Sequence, residues 1–286
     1  MNLSRTDLAV ETAEALPTGR DMFAPGTGVT KSECLLCGCP VTRIHVHTPA
    51  GARAIGKPEG RYITIDLRPA LSRQEALTGR AALCLCRELR ALLPPPSDGP
   101  ALVVGLGNDA MTPDAVGAAA LEHLLVTRHM VCSMPRQFGA LTPVAALATG
   151  VLARTGVETL ELIRGAADRL HPSVVIAIDA LAARSRHRLC ATVQLGDTGL
   201  IPGSGVGNHR RAVDRKALGV PVIAIGVPTV IDGAALRDED APPSGLFVTP
   251  QDIDHRVREL GRLIGTGVTL ALQPNLTLED VNALTG

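Results

Sequence analysis

The sequence predicts an α/β protein built on a doubly wound, mostly parallel sheet flanked by helices. Three observations predict it. Short β-branched apolar runs recur at 101–106, 174–178, 191–195 and 220–225. Segments of helical period alternate with them, which is the pattern of a wound parallel sheet. The core is aliphatic: 45% of residues are hydrophobic, yet there is no Trp, one Tyr and three Phe.

A chain of 286 residues suits one large domain or two small ones. We expect a single domain spanning 8–286, with N-terminal strands and a helix over 8–98 and the wound core over 99–286. Residues 1–31 are polar, with scattered Pro and Gly, and read as a loosely held arm. Val41–His47 and Arg61–Leu67 alternate with strand period; Ile63, Ile65 and Leu67 face one way. Arg73–Leu93 has helical spacing and must stop at Pro94–Pro96, because proline lacks the donor and clashes with the preceding turn. The stretch 97–100 is the best linker candidate. Ala101–Leu106 is a short apolar strand, followed by a Gly-rich turn and a helix beginning near Pro113. Glu158–Leu170 is helical. Val174–Ile178 looks like a fully buried parallel strand, and Ala191–Leu195 and Val220–Ile225 repeat that look. Thr249 is placed to cap a helix from about Gln251 to Leu270.

Bulk properties exclude several functions. Lys plus Arg and Asp plus Glu both total 28, so the net charge is zero. With few aromatics to stack on bases, direct nucleic-acid binding is not expected. The apolar runs are broken by Asp, Gly or Pro and are too short to span a bilayer. Met1–Leu16 has no apolar segment of the secretory kind. The seven cysteines are expected to be reduced thiols in a cytoplasmic protein.

Reactions on open α/β sheets sit beyond the carboxyl ends of strands, where strand order reverses. Asp114 follows the strand 101–106 near the start of the next helix, and Asp179 closes the strand 174–178. A carboxylate ending an apolar strand is costly unless something uses or neutralises it. As a pair, one acid would stay protonated and polarise a carbonyl while the ionised one takes a proton from water. The plainer alternative makes Asp114 a first-turn residue favoured by the helix dipole and Asp179 a hydrogen-bond partner of a nearby loop. Gly105-Leu106-Gly107-Asn108-Asp109-Ala110 matches a loose dinucleotide fingerprint, but no acid follows at the ribose-binding distance. No cofactor is expected. Gly199–Asn208 lacks the phosphate-loop lysine. Its residues Gly203, Ser204, Gly205, Gly207 and Asn208 suit either a groove for an extended peptide or a structured surface loop. Cys34, Cys37, Cys39, Cys84 and Cys86, with His45 and His47, lack the paired Cys-x₂-Cys spacing of a zinc site, and no metal is expected.

Taken in order, longer runs carry a more specific signal. They are Arg5-Thr6-Asp7-Leu8-Ala9-Val10-Glu11, the stretch 54–65 around Gly56-Lys57-Pro58, and Val104–Asn108 with Thr112-Pro113-Asp114. They continue with 155–159, Ala177-Ile178-Asp179-Ala180 through Ser185, 197–208, 220–232 and 248–254. Together these resemble the germination protease family of spore-forming bacteria. The resemblance implies an atypical aspartic peptidase with a fold similar to the hydrogenase-maturation peptidases. It places the two essential acids on Asp114 and Asp179; in the hydrogenase relatives matching acids help bind a metal. It implies a zymogen that removes residues 1–7 by cutting between Asp7 and Leu8. It also implies small acid-soluble spore proteins as substrates, the spore core as compartment and a homotetramer. The chain departs from the family in the short region 232–245 and in its cysteine clusters. A metal-dependent maturation peptidase and a non-enzymatic peptide-binding module are the alternatives.

Overall fold

The computed structural model describes residues 6–14, 23, 26–71, 77–95, 97–207, 210–239 and 241–285. Its strands among these residues are β1 (Val29–Leu36), β2 (Cys39–Val46), β3 (Gly60–Asp66), β4 (Ala101–Leu106), β5 (Val144–Gly150), β6 (Val174–Ala183), β7 (Thr192–Gly196), β8 (Val222–Asp232) and β9 (Phe247–Val248). They form one sheet in the order β1-β2-β3-β7-β8-β6-β4-β5, with β9 paired to the end of β8. The helices that position the site are α1 (Ala9–Glu14), α2 (Pro49–Ile55), α3 (Ala82–Leu92), α4 (Val116–Glu122), α5 (Thr159–Leu170) and α6 (Ile253–Leu272).

The expected α/β architecture is present, and its parallel part is β5-β4-β6-β8. The other half is antiparallel: β8 pairs β7, β7 pairs β3, and β3-β2-β1 continue as a meander. The sheet is therefore mixed. The run 191–195, which looks like a parallel strand, is β7 and runs against β8. Only residues 184–191 join β6 to β7. That is too short for the helical crossover a parallel partner needs. Hydrophobicity reports that a strand is buried on both faces, and it does not report direction.

Period-2 alternation sorts the central strands between two helical layers. Val103, Ile176, Ile178, Ile223 and Ile225 join one cluster, packed with Leu85 and Leu89 of α3, Val116 and Ala120 of α4, and Leu263 and Ile264 of α6. Leu102, Val104, Val175, Ala177 and Val222 face the other way and pack with Leu160 and Ile163 of α5. Ile63, Ile65 and Leu67 share the first cluster as expected. Arg43 of β2 donates to Glu88 of α3 (Nε to Oε2, 2.9 Å), which fixes that helix against the antiparallel half.

Three local expectations are corrected. The helix over 73–93 is seen as α3, preceded by a π turn at Leu77–Ala81, with residues 72–76 outside the described set. Thr249 does not cap α6: its Oγ1 donates to Thr229 O at 2.8 Å, and α6 starts at Ile253 behind Asp252. The arm is not loose at residues 6–14. Leu8, Ala9, Val10 and Ala13 are buried in a third cluster with Val29, Ile44, Val46, Ile55 and Tyr62. The alternation of β2 explains the socket: Val41 faces α3, while Ile44 and Val46 face the N-terminal segment.

Helix α4 lies against β4 and β6 through glycine. A Cβ on Gly117 would fall 2.4 Å from Leu106 O, 2.5 Å from Leu106 N and 2.7 Å from Ile178 O. These neighbours are backbone in a paired sheet and cannot move aside. Gly117→Ala is expected to destabilise the fold by about 1–3 kcal/mol, the range for overpacking. Thermal unfolding checks this: a Tm equal to that of the parent would show that α4 can slide.

Candidate active site

The chain goes from β4 to β5 on one side and from β5 across to β6 on the other. Their connections leave in opposite directions, so a crevice opens between the carboxyl ends of β4 and β6. This is where ligands bind on such sheets. Both candidate acids flank it. Asp114 ends a 3-10 turn, Thr112–Asp114, with Pro113 at its start as expected. The turn is held by Thr229 of β8, whose hydroxyl donates to Pro113 O at 2.6 Å. The Asp114 carboxylate accepts the Asn108 amide at 2.8 Å. Gly107, at φ 96°, is needed here because a Cβ would meet Asp114 O at 2.0 Å. The glycines of the loose dinucleotide match thus serve a tight turn that presents an acid.

Asp179 lies inside β6, not at its end, because β6 continues to Ala183 alongside β8. Pairing with β4 stops at Gly105–Ile178, so Asp179 is the first residue past that pairing. It is 5% exposed, and Oδ1 accepts the Ala180 amide at 2.9 Å. Asp114 and Asp179 line one cleft of about 400 Å³, together with Asp7, Gly203, Gly205 and Arg210. Burial pushes the Asp179 carboxyl well above the usual carboxylate range, and the charges of Asp114 and Asp7 push it further. Burial raises Asp114 too, but the Asn108 amide and Arg210 oppose that rise by favouring its charged form. The environments separate the pair: Asp179 is raised further and holds its proton to higher pH, and Asp114 is the acid better able to ionise.

The glycine-rich loop divides. Ser204–Val206 form a 3-10 turn between Gly203 (φ 72°) and Gly207 (φ 79°), both in the left-handed region that glycine tolerates. Gly203 and Gly205 line the cleft with the acids, whereas Gly207 turns the chain behind it. Asn208 lies outside the described residues. Ser204 lines an adjoining hollow of about 450 Å³ with Lys57 and Gln194, and Asp7 and Gly205 border both spaces.

Asp7 is brought into this site, whereas Leu8 is buried in the N-terminal cluster behind it. Asp7 N donates to Ala182 O at 3.0 Å, and its carboxylate accepts Ala182 N at 2.9 Å and Ser204 Oγ at 2.5 Å. Behind them Glu11 is buried and accepts the amides of Arg184 and Ser185 at 2.7 and 2.9 Å. Lys57 donates to Asp7 O at 3.0 Å; burial holds this ammonium below the usual lysine range, against the charges of Asp7 and Glu11. Lys57, Gln194 and Arg210 were not singled out from the sequence. Single polar residues far apart in the chain carry no spacing signal; the run Gly56-Lys57-Pro58 was visible only as part of a longer resemblance.

Cys39, Cys84, Cys86 and Cys190 are buried, all four in the cluster under α3. No group of three or more metal-ligating side chains is assembled among the described residues. No described helix is long and apolar enough to cross a membrane.

Comparison with known proteins decides the family. The family model for germination protease matches residues 7–242. The chain belongs to the germination protease family. It is 35% identical to a germination protease of Clostridium perfringens, over 97% of this chain and 98% of that one. It is 38% identical to that of Caldanaerobacter subterraneus, over 98% and 97% of the two chains. The germination protease of Bacillus subtilis is 37% identical, over 98% of this chain and 76% of the longer relative. Membership makes this chain a peptidase. Among solved structures, a NiFe hydrogenase maturation protease, HycI of Thermococcus kodakarensis, aligns with 63% of this chain and 98% of its own at TM-score 0.37 and 18% identity.

The proton on Asp179 ties stability to pH. The folded chain retains a proton that the unfolded chain releases near pH ~3.9. The contribution of that proton to stability is complete below this value and is lost as pH rises through the raised folded value. Asp179→Asn removes the titration. It is expected to raise Tm by roughly 2–8 °C at neutral pH, with the gain vanishing at about pH 3. Thermal unfolding across that range checks the direction; a gain independent of pH would mean that Asp179 is not the titrating group.

Proposed function

We propose that the chain is an atypical aspartic endopeptidase, made as a zymogen, in which Asp114 and Asp179 hydrolyse the peptide bond. The observation that carries this is the pair of acids on one cleft at the reversal of strand order, with unequal tendencies to ionise. Asp114, as carboxylate, takes a proton from the attacking water. Asp179, kept neutral by burial, supplies the proton that the leaving nitrogen needs. A buried acid of raised pKa is suited to that task near neutral pH, because it still holds its proton there.

The zymogen part of the proposal is cleavage between Asp7 and Leu8, which releases residues 1–7. Asp7 lines the same cleft as the two acids, which supports a cut at this residue. By resemblance, the substrates are small acid-soluble spore proteins degraded in the spore core at germination, by a homotetramer without metal or cofactor.

Incubation with a small acid-soluble spore protein, followed by sequencing of new N-termini, tests the activity. Asp114→Asn and Asp179→Asn should each lower turnover by ~10²–10⁴-fold while the protein stays folded. A folded variant with parental turnover would remove that acid from the mechanism, and inhibition by a chelator would redirect it towards a metal. Intact mass after mild acidification should show loss of residues 1–7. An unchanged mass in a folded, active sample would remove the self-cleavage step.

A further inference from the structure

The Leu8 amide donates to Thr6 Oγ1 at 3.1 Å, and that hydroxyl in turn donates to Glu11 Oε2. Leu8 is the residue before α1, and its carbonyl oxygen accepts the Thr12 amide at 3.1 Å. Glu11 is therefore the third residue of the helix, the position from which a glutamate side chain reaches back to the amide of the cap residue. In the uncut chain the Thr6 hydroxyl stands in that path and bridges the two groups. Glu11 is 1% exposed. It also accepts the Arg184 and Ser185 amides, and Arg188 Nε lies 3.6 Å from its Oε1.

Hydrolysis of the 7–8 bond changes this chain of contacts. Water gives its hydroxyl to the residue 7 carbonyl carbon, the C–N bond breaks, and the nitrogen of Leu8 becomes an amine. The new carboxyl group loses a proton and the amine gains one. Such an amine titrates at about pH 8, so it is mostly an ammonium at neutral pH. Thr6 departs with residues 1–7, and Glu11 Oε2 loses a donor. The ammonium stays behind. Leu8, Ala9, Val10 and Ala13 are held in the N-terminal cluster, and Gln194 Oε1 accepts the Ala9 amide at 2.7 Å. A cation at the first turn of a helix is repelled by its dipole, and a buried charge needs a partner. Lys57 and Arg188 share its sign, and Glu14 is paired with Arg188 at 2.7 Å. Glu11 is the carboxylate in reach.

We propose that trimming makes Glu11 the counter-ion of the new chain end: the Leu8 ammonium takes the place of the Thr6 hydroxyl at Glu11, and this ion pair keeps residues 8–14 docked in the trimmed enzyme. The proposal rests on cleavage between Asp7 and Leu8. Because Glu11 holds the amides of Arg184 and Ser185, directly after β6, the pair ties the new N-terminus to the strand that carries Asp179.

The test prepares the trimmed chain in two ways. One is self-cleavage of the full chain. The other replaces residues 1–7 by a leader that an added peptidase removes after folding, leaving Leu8 first. The probe is cyanate, which carbamylates neutral amines; the product at Leu8 is read by mass after digestion. At neutral pH the Leu8 amine should react at least ~10-fold more slowly in the folded trimmed chain than in the same chain unfolded, the scale of a hydrogen bond between charged groups. Glu11→Gln should restore most of that reactivity. Equal rates in the folded and unfolded parent overturn the ion pair and need no variant that could misfold. A folded Glu11→Gln chain that stays slow overturns it too, because burial alone would then protect the amine. Thermal unfolding separates the pair from the other bonds of Glu11. With Asp114→Asn in both backgrounds to prevent self-cleavage, Glu11→Gln should lower the Tm of the leader-trimmed chain by roughly 3–10 °C more than that of the uncut chain. Equal losses would mean that Glu11 serves only the Arg184 and Ser185 amides, and would overturn the proposal. A full chain that never loses residues 1–7 removes the self-cleavage step, while the leader-trimmed chain still decides the ion pair.

Discussion

An ionisable carboxyl held where the parallel sheet is driest is the constraint on which the site depends. Asp179 sits in a strand whose preceding residues, Val174–Ile178, are all buried. It avoids an all-apolar environment only because β4 stops pairing at Ile178 and leaves a crevice beside it. Strand order reverses there, so the crevice follows from how the chain winds. Burial then raises the pKa of Asp179, and the charge of the neighbouring Asp114 adds to that rise. Two chemically identical side chains acquire different tendencies to ionise from their surroundings.

The antiparallel half of the sheet serves the same site from the other side. Strands β2 and β3 build the socket that swallows Leu8, Ala9 and Val10. Strand β7 contributes Gln194, and the segment after α2 contributes Lys57. The N-terminal segment is thereby a wall of the cleft. The polar atoms of residue 7 are all paired, and the pairing places its carbonyl at a defined point.

Glycine sets the tolerances. Gly117 lets α4 lie against the backbone of β4 and β6, and Gly107 lets the chain turn tightly enough to hold Asp114. Gly205 makes room for a carboxylate where any side chain would collide. In each case the closest neighbour is backbone or the acid itself, so a methyl group cannot be absorbed by a rotamer change. Residue types that looked like a weak nucleotide fingerprint or a generic loop are therefore explained by close approach.

Much of the fold was legible in order along the chain. The apolar runs 101–106, 174–178 and 220–225 became β4, β6 and β8, and the alternation at 41–47 and 61–67 became β2 and β3. The two acids were legible as candidates too: Asp179 because a charge after a buried strand is anomalous, Asp114 from its place near the start of the next helix. The direction of β7, the docking of residues 6–14 and the positions of Lys57, Gln194 and Arg210 were not. Periodicity measures which face of a segment is apolar, so from the sequence alone come the strands, the helices and the acids Asp114 and Asp179. Which strands pair in which direction, and which lone polar side chains converge on one carbonyl, depends on contacts between residues more than a hundred positions apart, such as Asp7 with Gln194 and Ser204. Local pattern contains no term for such contacts, and only the packed tertiary structure decides them.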